Sequence, residues 1–357
     1  MINLKKIILF ALFAIALLAL GCGKKDSASS IEDVRAGTEG LSVSFVPNNP
    51  PDKVHVEKGA PTKFDIVLEI RNKGAFPQPE EGNNAPEGQL YISGYDNKII
   101  NSLAVKEPQK GGTSVSLIDI NLQGRSTINP NGGQDIAAFE AAVNYDSMNV
   151  KTYEPIFLAT LCSYYRTVAS PSVCIDPSPY STISEKKVCT AHDTTLASQG
   201  APLAVVQVNE EAFSTKTQFK ITIKNVGGGD LISPIAGDKC DPFGQNKLGR
   251  NDIDKVQLDY VKIAGGRMLD CGPFADGTAK GKTGIIRMIN GEGSVVCELA
   301  TSNYNNKQSA YTTPLLIQLG YVYRITTQRQ VQLVKEVDSS QPGSQASTPD
   351  STSGVYS

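Results

Sequence analysis

The chain has 357 residues, 34 basic against 36 acidic side chains, and 40% apolar residues. That is enough apolar material to bury real cores and enough length for two domains. No basic tract occurs, which excludes the electrostatic footprint of a nucleic-acid binder. There is no Trp, and the only histidines are His55 and His192.

In chain order, Lys5 and Lys6 precede an apolar run from Ile7 to Leu20. The run is shorter than the ~20 residues that span a bilayer, and its flanks suit an export signal. It stops at Ala19-Leu20-Gly21-Cys22, which resembles the lipobox of prokaryotic lipoprotein signal peptides. Gly21-Cys22 supplies the small residue and the cysteine; Ala19 stands where the family usually has Leu. The resemblance implies that residues 1–21 are removed and that Cys22 carries the lipid, with an uncleaved anchor helix as the alternative. Either way the rest of the chain lies outside the cytoplasm. Cleavage leaves 32 basic against 36 acidic residues. Residues 22–40 are small and polar and read as a flexible tether. Residues 337–357, rich in Ser, Thr, Gly and Pro, read as a disordered tail.

Strand signals fill the space between. "KFDIVLEIRNKG" puts Ile66, Leu68 and Ile70 on one face and ends in Asn72-Lys73-Gly74, a turn signal. "VSLIDINL", "AAFEAAV" and "IFLATLCSYYRT" continue the alternation, and no stretch sustains helical spacing. The pattern then returns. "QFKITIKNVGGG" overlays the Asn72 segment at an offset of 153 residues, so Asn225 matches Asn72. "NGEGSVVCELA" overlays "GGQDIAAFEAA", and "LIQLGYVYRIT" overlays "LATLCSYYRT", both at an offset of 158. Three matches in one order predict an all-β chain with a duplicated unit: tandem Ig-like antiparallel β-sandwiches over 41–175 and 195–336, joined by a linker at 176–194. The stretch "FVPNNPPDKVHVEKGAPTKFDIVLEIRNKG" is similar to the front half of Ig-like, CARDB-like domains of prokaryotic surface proteins; the resemblance implies a fold rather than a function.

Seven cysteines are present. With Cys22 given to lipid, Cys162, Cys174, Cys189, Cys240, Cys271 and Cys297 remain, an even number that suits three disulfides in an oxidising compartment. Three lie between 162 and 189 and three between 240 and 297, so full pairing requires at least one bridge between the groups. Cys297 overlays Phe139 on a strand, and Cys271 is its expected partner. Of fifteen possible pairings, the set chosen adds Cys162 with Cys174 and Cys189 with Cys240.

Candidate chemistry is thin, and no catalytic, cofactor or metal residue is expected. "GTAKGKTG" is one residue short of a phosphate loop, with Asp276 in the place of its first glycine, and reads as a solvated turn. Cys162, Cys174, Cys189 and His192 are spaced too widely for paired zinc ligands. No G-x-S-x-G elbow accompanies either histidine. Glu80-Glu81 and Glu210-Glu211 fall in expected loops as solubilising acids. Asp238, Asp241, Asn246, Asn251, Asp252 and Asp254 could offer oxygens to calcium but lack EF-hand spacing. Tyrosines on the late strands are expected mostly as core. The expectation is a membrane-anchored, non-enzymatic binding or structural component of a cell envelope, partnered by another envelope protein or an extracellular ligand. The alternatives are an assembly subunit using strand addition and a calcium-dependent accessory domain of a surface enzyme.

Overall fold

The computed structural model describes residues 34–77, 88–106, 117–181, 187–300 and 309–336. The leader with Cys22, the Glu80-Glu81 pair and the tail from 337 lie outside these residues. In the first half the strands are β1 (Leu41–Phe45), β2 (Lys53–Val56), β3 (Thr62–Asn72), β4 (Gly88–Ser93), β5 (Ile100–Val105), β6 (Leu117–Ile120), β7 (Gln134–Val143), β8 (Thr152–Tyr153), β9 (Ile156–Ala169) and β10 (Ser172–Ile175). The second half holds β11 (Thr194–Thr195), β12 (Leu203–Ala212), β13 (Lys216–Asn225), β14 (Asp230–Ile232), β15 (Lys255–Ile263), β16 (Asp270–Gly272), β17 (Gly284–Arg287), β18 (Glu292–Ala300), β19 (Tyr311–Gln330) and β20 (Gln332–Lys335). Alternation explains the strands: in β3, Phe64, Ile66, Leu68 and Ile70 are buried, with more accessible residues between them.

The halves repeat one arrangement. The sheet order β1-β3-β7-β5 in the first half corresponds to β12-β13-β18-β16 in the second. Equivalent hydrogen bonds close both copies. The Asn72 amide donates to the Phe76 carbonyl at 2.8 Å, and the Asn225 amide to that of Gly229 at 2.9 Å. The backbone N–H of Phe76 reaches the Tyr165 hydroxyl at 3.3 Å, and that of Gly229 reaches Tyr323 at 2.5 Å. Asn72 and Asn225 donate their own N–H groups to Gly133 and Gly291, both at 2.8 Å. These asparagines therefore bind the end of one strand to the loop that leaves it, which is why each copy of the strand stops at Asn-x-Gly.

The facing layers are not separate. β6-β4-β9 and β17-β15-β19 join, with β10 and β14 also paired to β19, into one eight-stranded sheet, because β9 pairs antiparallel with β19 along its whole length. Tyr164 pairs with Val322, its own counterpart at the repeat offset of 158 residues. Tyr165↔Tyr321 and Ser163↔Tyr323 exchange about the same point. A local two-fold axis thus passes between the copies through the Tyr164–Val322 pair.

Strands that cross this axis leave one core and enter the other. Phe157, Ala159 and Leu161 of β9 lie in the first core; Tyr165 and Ala169, then Val173 and Ile175 of β10, lie in the second. Reciprocally, Leu315 to Tyr323 of β19 line the second core, while Val331 and Leu333 are buried in the first. β20 lies parallel to β2 and antiparallel to β8. Each copy is thus completed by the end of the other, across the boundaries at 175 and 195 expected from sequence. The expected tether also ends early. Val34 is buried, Gly37 exchanges hydrogen bonds with Ser198 and Gly200 at 3.1 Å, and Lys73 donates to the Gly40 carbonyl at 2.9 Å. At this seam Gly74 has no room for a side chain: a Cβ there would stand 1.9 Å from the Tyr165 hydroxyl.

Candidate functional site

The six cysteines after Cys22 form three bridges, Cys162–Cys240, Cys174–Cys189 and Cys271–Cys297. Cys271 and Cys297 stand directly opposite on β16 and β18, where the first half pairs Val105 with Phe139. The bridge between groups is Cys162–Cys240, which corrects the expected pairing of Cys162 with Cys174 and of Cys189 with Cys240. The reason is the face of the strand. Odd-numbered residues of β9 point into the cores, so Cys162 points to the outer face of the large sheet. There it meets the loop holding Cys240 and a small cluster with Tyr91, Ile232, Ala236 and Val322. Cys174 lies in β10, and Cys189 returns to it across the linker. The bridges leave no Cys–His set for zinc, and the His192 ring instead approaches the Thr190 carbonyl at 3.1 Å. His55 pairs with Glu336 next to β20.

Glu210 was expected in a solubilising loop and is not. It lies on β12 after a register shift at Val205/Gln207, which turns Val208 and Glu210 inward. The carboxylate is 5% exposed, and both oxygens accept the Cys174 N–H at 3.1 Å. Burial raises its pKa to about 7, only partly opposed by that hydrogen bond and by His192. Sequence gives no warning of this, because the shift that turns the residue inward has no signature of its own.

The acidic loop is committed to its own structure. Lys239 grips both oxygens of Asp252 at 2.9 and 3.0 Å, and Asp252 also accepts the Gly249 N–H. Asp241 accepts the Phe243 N–H at 2.8 Å. Lys239 and Gly249 hold the Asp252 carboxyl below the usual carboxylate range. No group of three metal-ligating side chains occurs among the described residues. In the lysine-bearing turn, Gly281 exchanges backbone hydrogen bonds with Cys271 at 2.7 and 2.9 Å, so the turn caps the edge of β16. Its lysines pair with acids, Lys280 with Glu298 and Lys282 with Asp270. The late-strand tyrosines Tyr165 and Tyr321 are wholly buried, which raises both pKa values.

One surface has an open, polar concavity. On the first half the outer face of β3 and β7 is internally paired, through Lys63–Glu140 at 2.7 Å, Lys106–Asp65 at 2.8 Å and Arg71–Glu69 at 2.6 Å. On the second half Lys216 and Lys280 share Glu298 at one end of the equivalent face. Beyond them lie two shallow depressions of about 290 and 550 Å³ that share Lys220. Asp193, Asn209 and Glu211 line the first; Thr222, Arg287, Asn290 and Ser294 line the second. This face offers hydrogen-bonding groups to a polar ligand and has no aromatic platform among its lining residues.

No protein-family model and no curated protein matches this chain. Among solved structures it is similar to a Streptococcus agalactiae AgI/II polypeptide BspA C-terminal domain, at 8% identity and a TM-score of 0.21, over 83% of this chain and all of that one. It is also similar to a chain described as pT26-6p, at 9% identity and a TM-score of 0.19, over 86% of this chain and 68% of that one. Likeness at this level carries no argument. The class rests on the molecule itself: an all-β chain of largely antiparallel sheets, locked by three disulfides. Those bridges indicate an oxidising, extracytoplasmic compartment. Among the described residues no helix is long and apolar enough to cross a membrane.

Proposed function

We propose that this chain is a prokaryotic-type lipoprotein, held at a membrane through Cys22. Its interlocked sandwiches would be a non-enzymatic binding or structural component of the cell envelope. The observation that carries the reading is the disulfide set. Every cysteine after Cys22 is bridged, which leaves Cys22 as the odd one, at the end of an export-type apolar run. Bridges and exchanged strands make a stiff unit suited to presenting a surface, and the concave face around Lys220 is the surface we assign to a polar partner. The test is mass spectrometry of the protein recovered from membranes. The expected product begins at Cys22 with added acyl mass; an intact Met1, or release of unmodified protein, would overturn the reading.

A second reading, a subunit that associates by strand addition, is favoured by one specific observation. The outer edge of β1 has no strand beside it among the described residues.

A further inference from the structure

The duplicated halves differ at one edge. In the second half the edge of β12 is closed. β11 pairs with Gln207 and Val208, Leu196 donates to the Val206 carbonyl at 3.0 Å, and the Gln199 side chain bonds both the N–H and the C=O of Val205. Val205 corresponds to Val43 of β1, since Leu41-Ser42-Val43 overlays Leu203-Ala204-Val205 and each pairs with its own Asn-ended strand. β1 pairs with β3 on one side only.

The register shows which groups are left over. Lys73 donates to Gly40, and Val46 donates to Val67, so residues 40, 42, 44 and 46 face β3. The N–H and C=O groups of Leu41, Val43 and Phe45 therefore point outward, with no partner among the described residues. Natural edges are blunted by charge, proline or a bulge. The sequence Leu-Ser-Val-Ser-Phe carries no charge and no proline, and its pairing with β3 runs without a register shift.

We infer that β1 is a self-association edge that pairs antiparallel with β1 of a second copy, centred on Val43. The strand is self-complementary in that register. Leu41 meets the partner's Phe45, and Val43 meets the partner's Val43, so outward-facing groups meet outward-facing groups and the ladder closes. The half-buried inward side chains of Val43 and Phe45 gain apolar cover from their mates. On the other face Ser42 meets the partner's Ser44, without bulk or like charge. Such contact is isologous, so it stops at a dimer and cannot propagate. The inference does not depend on the envelope reading, because it concerns the folded chain wherever it resides.

The test is the oligomeric state of the purified full chain by sedimentation across a wide concentration range, with two designed pairs of substitutions. S42K with S44K places lysine opposite lysine across the axis and should weaken the dimer by about tenfold or more. S42E with S44K places glutamate opposite lysine in the same register, and within the chain sets glutamate opposite Arg71 and lysine opposite Glu69, so it should retain the dimer. Circular dichroism checks that both variants fold. Independently of any variant, hydrogen exchange at the Val43 amide of the wild-type chain should slow as concentration rises. A wild-type chain that stays monomeric throughout overturns the inference. So does a dimer that both variants leave equally strong, or a Val43 amide whose exchange ignores concentration.

Discussion

Replacing Leu333 by alanine should damage the half of the molecule that the residue does not belong to in sequence. Leu333 is fully buried in β20, between β2 and β8, in the core that holds Phe64, Ile66 and Phe157. Truncating a fully buried leucine costs about 2–5 kcal/mol, the upper part applying where the surroundings cannot collapse. Here a ladder on both sides of β20 holds the cavity open. Ile175→Ala is the mirror experiment. Ile175 is fully buried in β10 and belongs to the second core with Phe219 and Ile221. Native-state hydrogen exchange reads both variants residue by residue. Leu333→Ala should reduce protection at β3 and β7, and Ile175→Ala at β13 and β18. Equal loss in both halves would mean that the interlock makes one cooperative unit, which the exchange of strands also permits. Protection lost only in the half that carries the substitution in sequence would refute the crossed packing.

Three further outcomes follow from the same structure. Removing the Cys162–Cys240 bridge by Cys162→Ala with Cys240→Ala frees a loop of 78 residues and should cost up to about 4.5 kcal/mol by loop entropy, read as a fall in the denaturation midpoint. Removing Cys174–Cys189, whose cysteines are 15 positions apart, should cost less, up to about 3 kcal/mol. Glu210 has a folded pKa raised to about 7, so its protonated form favours the fold; that contribution is complete below the unfolded value and is lost as pH rises through about 7. Glu210→Gln should therefore stabilise the protein at pH 8 by about 1–3 kcal/mol and flatten the fall in melting temperature between about pH 5 and 8. Asn72→Ala removes the donor to the Phe76 and Leu122 carbonyls at a fully buried position and should cost about 2–4 kcal/mol in chemical denaturation. The same change at Asn225, which is only half buried, should cost less.

Much of this architecture is local enough to be legible in sequence. Alternation in β3 and β13 announces strands, and Asn-x-Gly announces where they stop, because both signals act within a few residues. The overlay of Cys297 on Phe139 puts Cys297 at a buried strand position, and Cys271 is the cysteine nearest to it in sequence. The crossing of the axis is different. β19 is one continuous strand of 20 residues, and nothing in its sequence says where one core ends and the next begins. The disulfide partners of Cys162 and Cys174 depend on that same crossing, so pairing by nearness in sequence was misled. Glu210 was misplaced because a paired acid looks solvated until a register shift turns one member inward. The open edge at β1 is not legible in the sequence, since it is seen only by comparison with the covered edge at β12.

The two-fold axis has a consequence for how the duplicated copies could diverge. In a symmetric pair of identical units, the residue on the axis must pack against itself, and every neighbour must suit its own image. A single chain that holds both copies is free of that condition. Here Tyr164 stands on the axis opposite Val322 rather than another tyrosine, and its hydroxyl fills the space over Gly320, where even a Cβ would approach to 2.4 Å. The image of Gly320 is Cys162, which shares its cluster with Val322, the counterpart of Tyr164, and forms the bridge to Cys240. One copy thus gave up a side chain to admit the tyrosine, and the other gained a covalent tie that an assembly of identical units would have to make twice.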